Sequence, residues 1–270
     1  LLFIREGRSS QRDLASINIP AILPLYKGAI EKNHNRATGQ KTSKQRKKHV
    51  NPIPNLYKQQ HHNTKINYHK PPTYPMKQVI LITGTPCTGK TTLAKQLASR
   101  LDALYINLTD YAKTNSLTLK KDPQRNTTII NEQKMRNALE ATINQTENQN
   151  VIVDGHYAAS VVKANLSTHV FVIRRNPKEL KEFMQKQGFN PAKIDENLSA
   201  EILDICLVEA LQTHPEKVCE LDVTGKTVKE TVDEVLAILK GEKKCYSGFV
   251  DWLGMLEREG TTDQYLKTTT

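Results

Sequence analysis

The stretch that most constrains this chain is Lys77-Gln78-Val79-Ile80-Leu81-Ile82-Thr83 running into Gly84-Thr85-Pro86-Cys87-Thr88-Gly89-Lys90-Thr91-Thr92. An unbroken apolar run of this length suits a strand buried on both faces. The residues after it satisfy the full G-x-x-x-x-G-K-[ST] pattern, and a buried strand in front of that pattern is the setting of a phosphate-binding loop. The glycines let the backbone bend so that successive N–H groups point at an anion, and the helix beginning near Lys90 adds its positive end. The pattern predicts that Gly84, Cys87, Gly89, Lys90, Thr91 and Thr92 surround the phosphates of ATP or a similar nucleotide. Lys90 would reach the outer phosphates, and the Thr91 hydroxyl would sit on Mg²⁺. Cys87 occupies a place where such loops often carry glycine, which calls for ordinary backbone angles there.

Downstream, apolar runs alternate with amphipathic stretches. Strands are expected at Val79–Thr83, Leu104–Asn107, Val151–Asp154, Val170–Ile173 and Val218–Leu221. Helices are expected at 90–101, from about Glu196 to Thr213, and at 228–239, and the stretch Pro177–Lys186 also lies between the last two strands. Strand and helix in alternation predict an α/β fold, a parallel sheet flanked by helices.

The formal net charge is +11, which at first suggests nucleic-acid binding. The excess is confined to residues 1–75, which hold 14 lysines and arginines against three acids, whereas the remainder holds 25 of each. Those first residues also contain seven of the twelve prolines, five of the eight histidines and the basic run Lys44-Gln45-Arg46-Lys47-Lys48-His49. They lack the apolar periodicity needed to offset ordering entropy, so a disordered basic extension is expected. Met76 is the first methionine, and the expectation is that it is the true start. A basic arm on nucleic acid, or a transit sequence around Arg5, Arg8 and Arg12, are the other readings. The neutral remainder argues against extensive direct RNA binding by the folded part.

Cys87, Cys206, Cys219 and Cys245 match no metal or redox spacing. Cys206 and Cys219 read as small buried hydrophobes in a reduced, cytoplasmic protein. No apolar run reaches the roughly 18 residues of a membrane span.

A second chemical cluster is Val151-Ile152-Val153-Asp154-Gly155-His156. An acid at the end of a buried strand lies at the carboxyl edge of the sheet, where open α/β folds bind ligands. Asp154 is expected to orient Mg²⁺ or its water, and His156 to position a water or a phosphate.

These motifs occur in series with several others. They are Tyr105-Ile106-Asn107-Leu108-x-Asp110-Tyr111-Ala112, Val172-Ile173-Arg174-x-x-Pro177, Gly188-Phe189-Asn190-x-x-Lys193-Ile194-x-Glu196-Asn197, Thr224-Gly225-Lys226 and Gly248-Phe249-Val250-Asp251-Trp252. From Met76 to Trp252 the series resembles the adenylate kinase isoenzyme 6 family. These are small nuclear or archaeal kinases also described as small-subunit ribosome-assembly ATPases. The resemblance implies a nucleoside monophosphate kinase-like P-loop domain over 76–252, followed by a tail over 253–270. It implies phosphoryl transfer from ATP to AMP with weaker ATP hydrolysis, Mg²⁺ held at Thr91 and Asp154, and catalytic roles for Lys90, Asp154, His156 and Arg174. It further implies an AMP-binding segment over 107–130 including Asn107 and Asp110, a lid over 186–196, and Lys226 beside the adenine. A small-subunit ribosomal protein is the implied partner, with rRNA contacted only indirectly. The family usually carries an arginine where this chain has Gln187, and the run Lys120–Arg125 is basic where many relatives are acidic. An ATP-switched assembly factor with little kinase turnover, or a small-metabolite kinase on the same scaffold, are the alternative functions.

Overall fold

In a computed structural model the chain is described over residues 77–122 and 127–266. The readings made of the N-terminal extension, and part of the basic run at 120–125, lie outside the described residues. The elements run β1 (Gln78–Thr83), α1 (Lys90–Leu101), β2 (Leu104–Asn107), α2 (Leu108–Thr114), β3 (Thr118–Asp122), β4 (Thr127–Ile130), α3 (Glu132–Gln145) and β5 (Asn150–Asp154). Then come α4 (Ala158–Val161), β6 (His169–Arg174), α5 (Pro177–Lys186), α6 (Pro191–Ile202), α7 (Ile205–Thr213), β7 (Val218–Asp222), α8 (Val228–Leu239), α9 (Trp252–Glu259) and α10 (Thr262–Tyr265).

Five parallel strands form the main sheet in the order β2-β5-β1-β6-β7, and β3 with β4 form a separate antiparallel pair. The expected α/β class with helices on both faces is what the chain adopts. Alternate residues of β1 serve opposite faces, as a two-residue period demands. Val79 and Leu81 pack with Leu139, Ile143 and Tyr157 on one side, whereas Ile80 and Ile82 pack with Leu93, Leu97 and Val235 on the other. A third cluster lies beside the sheet, where Leu180, Met184, Leu198, Ile202, Trp252 and Leu256 close α5, α6 and α9 on one another.

Three features differ from the expectation. The long helix expected from 196 to 213 is two helices, α6 and α7, separated at Leu203 and Asp204, where Asp204 takes φ 54°. The residues from 253 to 266, read from sequence as a tail, form most of α9 and all of α10. Cys219 does not stay a lone buried thiol. It forms a disulfide with Cys245, because the segment after α8 returns along β7 and the Glu220 N–H donates to the Tyr246 carbonyl at 2.8 Å. Cys87 and Cys206 are free thiols, and burial pushes the Cys206 thiol up to about 12. Among the described residues no helix is long and apolar enough to cross a membrane.

Candidate active site

Strand order and register bring the site together. Asp154 ends β5 in register with Ile82 of β1 on one side and Asn107 of β2 on the other. The turn after β5 is docked over β1: the Gly155 N–H donates to the Ile82 carbonyl, and Thr83 Oγ1 donates to the His156 carbonyl. A Cβ at Gly155 would come within 2.8 Å of Leu108, so only glycine lets α2 and this turn approach so closely.

The phosphate loop fills the space between the end of β1 and α1. Gly84 takes φ 135°, and a Cβ there would sit 2.4 Å from the Ile173 carbonyl oxygen. Gly89 caps α1 at φ 98°. Within the loop, the Thr85 carbonyl accepts from Lys90 Nζ at 2.6 Å and from Thr88 Oγ1 at 2.9 Å. Lys90 is buried, and burial holds its ammonium below the ordinary lysine value, partly offset by Asp154. Cys87 takes φ 67°, so the side chain at that position is carried in the left-handed region after all, at a cost of about 1 kcal/mol. Its thiol, which burial keeps up despite nearby Lys90, lies 3.5 Å from Gln187 Oε1. The cysteine that stands where phosphate loops often carry glycine therefore touches Gln187.

Asp154 is 1% exposed. One of its oxygens, Oδ2, accepts from Thr91 Oγ1 at 2.7 Å, Asn107 Nδ2 at 2.9 Å and Tyr105 OH at 3.0 Å. Burial and the neighbouring Asp154 charge raise the Tyr105 phenol pKa, so it stays a proton donor. The other oxygen, Oδ1, is buried with no hydrogen-bond partner among the described residues. A buried carboxylate oxygen left open beside a threonine hydroxyl suits a hard divalent cation or its water. The Tyr105 hydroxyl, to which the sequence motifs assign no role, donates to the oxygen of Asp154 that faces Thr91.

The other expected site residues fall in varied places. The His156 ring packs edge-on against Tyr157 at 4.9 Å between centroids. Asn107 caps α2, accepting from the Thr109 and Asp110 N–H groups while donating to Asp154, so its amide braces the site. Asp110 and Thr92 are exposed. Gln187 ends α5 with its side chain exposed. Lys226 follows β7 and pairs with Glu234 at 2.9 Å.

Arg174 is the clearest departure. It is 1% exposed and its guanidinium binds Glu201, Glu220 and Asp204, not the loop. Burial by itself would lower its pKa, but those three carboxylates raise it above the ordinary arginine value. Its neighbour Arg175, singled out by no motif, is the arginine at the loop. Arg175 Nε lies 3.5 Å from the Thr88 carbonyl, and its terminal nitrogen is 3.7 Å from where a Gly89 Cβ would stand. Glu179 at 2.8 Å and the Phe183 ring at 4.9 Å, one turn apart on α5, hold it there.

The AAA domain family matches residues 80–204. A protein named "Putative adenylate kinase" from Thermococcus kodakarensis is 40% identical over 174 residues, covering 64% of this chain and 92% of that protein. One of the same name from Pyrococcus furiosus is 36% identical over 179 residues, covering 66% and 93%. Among solved structures, thymidylate kinase from Candida albicans is 16% identical, with a TM-score of 0.42, covering 64% of this chain and 97% of that one.

Proposed function

The chain belongs to the family of these archaeal adenylate kinase relatives, and from that premise we propose that it transfers a phosphoryl group from ATP to AMP, giving two ADP. The observation that carries the reading is the divided Asp154 carboxylate, one oxygen tied by three donors and the other open, beside a phosphate loop with buried Lys90. Phosphoryl transfer needs alignment and charge neutralisation more than covalent help. In this reading the loop N–H groups and Lys90 hold the β- and γ-phosphates, while Thr91 and Asp154 hold Mg²⁺. The ion, when bound, neutralises charge on the transferring phosphoryl group. Asn107 and Tyr105 keep the Asp154 carboxylate aimed, and His156 orients whatever nucleophile lies beyond. Arg175 provides the guanidinium that Gln187 does not, at the outer wall of the loop. The stretch 186–196 closes over the nucleotide and limits hydrolysis.

The test is ADP formation from MgATP across several monophosphates, for the wild type, Lys90→Ala and His156→Ala. AMP should be the preferred acceptor, Lys90→Ala should make no measurable ADP, and His156→Ala should be slowed. A wild type that binds ATP but makes no ADP with any monophosphate sinks the kinase reading. Gln187 favours a second reading, in which slow ATP hydrolysis switches contact with a small-subunit ribosomal protein and rRNA is met only through it. Recovery of ribosomal protein on the immobilised chain with ATP, and its loss after hydrolysis, would support that reading.

A further inference from the structure

The motif Gly248-Phe249-Val250-Asp251-Trp252 lies far along the chain from the phosphate loop, yet a buried polar chain joins the two. Glu220 Oε2 accepts the N–H groups of Gly248, Phe249 and Val250 at 2.8, 3.0 and 3.4 Å, and its Oε1 accepts from Arg174 at 2.6 Å. Arg174 Nε donates to Glu201 Oε1 at 2.9 Å, as do the Arg175 N–H and Trp252 Nε1, each at 3.1 Å. The remaining oxygen of that carboxylate, Glu201 Oε2, accepts from Thr85 Oγ1 at 2.5 Å. Thr85 is the residue whose carbonyl holds Lys90 Nζ.

Glu201 and Glu220 are 1% and 3% exposed. Buried carboxylates are costly to desolvate, and apolar residues of similar size would often serve the fold as well. Here three carboxylates meet a single guanidinium, so the remaining negative charge is offset by neutral donors. Those donors come from the phosphate loop, the end of β6 and the C-terminal segment, and withdrawing any one leaves a buried carboxylate short of a partner. Glu201 also belongs to the last turn of α6, whose first turn falls in the expected lid.

We propose that Glu201 is the positioning residue of the phosphate loop, and that residues 248–252 support the nucleotide site through it. The proposal rests on the nucleotide-binding reading above. Thr85 is thereby held from both ends, its hydroxyl by Glu201 and its carbonyl by Lys90, which sets where Lys90 and the loop N–H groups point.

The test is MgATP affinity by calorimetry, with the KM for ATP and for AMP and a thermal melt, on the full chain. Thr85→Val keeps the shape and removes the hydroxyl. It should weaken ATP binding roughly tenfold, the scale of a lost hydrogen bond to a charged group, raise the ATP KM, and leave the AMP KM unchanged. Thr85→Ser should restore both ATP values. Trp252→Phe, on a different element, should weaken ATP roughly threefold with the same ATP-against-AMP split. Each variant replaces one neutral donor, so folding is checked by melting before binding is compared. If folded Thr85→Val binds ATP within about twofold of wild type, or Thr85→Ser fails to restore it, the proposal is overturned. A wild type that binds no MgATP overturns this proposal and the nucleotide reading together. Wild-type binding with an indifferent Thr85→Val removes only the former.

Discussion

Arg174 and Arg175 are chemically identical neighbours at the end of a strand, and successive strand residues face opposite ways. Arg174 meets Glu201, Asp204 and Glu220 inside the protein, while Arg175 meets Thr88, Glu179 and Phe183 at the loop. No property of residue type distinguishes them, and the resemblance implies a catalytic role for Arg174 alone. Arg175→Ala should therefore raise the ATP KM and lower kcat/KM roughly tenfold or more, the scale of a lost charge-assisted contact. Arg175→Lys should recover only part, since an ammonium cannot reproduce the planar fork or its stacking on Phe183. Steady-state kinetics at fixed AMP give the answer, and an unchanged ATP KM in Arg175→Ala would take Arg175 out of the site.

At the scale of elements, helices whose ends carry local signals were legible. α1 and α8 fall where periodicity predicts them, and α8 begins with a complete capping box between Thr227 and Glu230. α3 was passed over because it is polar around most of its circumference. Its signal was the stripe Met135, Leu139 and Ile143, four residues apart, behind an Asn131 cap. The break between α6 and α7 had no local signal, because Asp204 leaves helical angles where its carboxylate meets the Arg174 guanidinium. α7 ends at His214, 1% exposed, with neither ring nitrogen partnered among the described residues. Burial, reinforced by Lys217, lowers its pKa to about 4. A folded-state value below the ordinary 6.5 means the unfolded chain binds the proton more readily. The contribution is complete above about pH 6.5 and is lost as pH falls toward 4, by on the order of 2–3 kcal/mol. Urea unfolding across that window should show the loss, and His214→Phe should flatten it. An identical slope in the variant would assign the acid sensitivity to other groups.

For the whole molecule, the C-terminal part decides how the sheet edge and the third core cluster are closed. The segment after α8 pairs with β7, is bridged by Cys219–Cys245, and delivers Val250, Trp252 and Leu256 onto α5 and α6. The bridge closes a loop of 26 residues, for which chain entropy suggests about 3.5 kcal/mol. Cys245→Ser should lower unfolding free energy by about that amount under non-reducing conditions and by nothing under strong reductant. Equal stability of the two proteins without reductant would mean the bridge contributes nothing.

The sequence by itself determined the parts whose geometry is written within a few neighbouring residues. These are the buried strand, the glycine-bent loop with Lys90 and Thr91, the acid closing β5, and the alternation that makes the sheet parallel. Hydrophobic period and glycine angles are local properties, so a linear reading reaches them. Only the tertiary structure decided which arginine faces the loop, that Cys219 finds Cys245, and that Glu201 grips Thr85 across 116 residues of chain. Those outcomes depend on strand order and on which faces meet, and the free energy that selects them comes from burying many distant side chains at once.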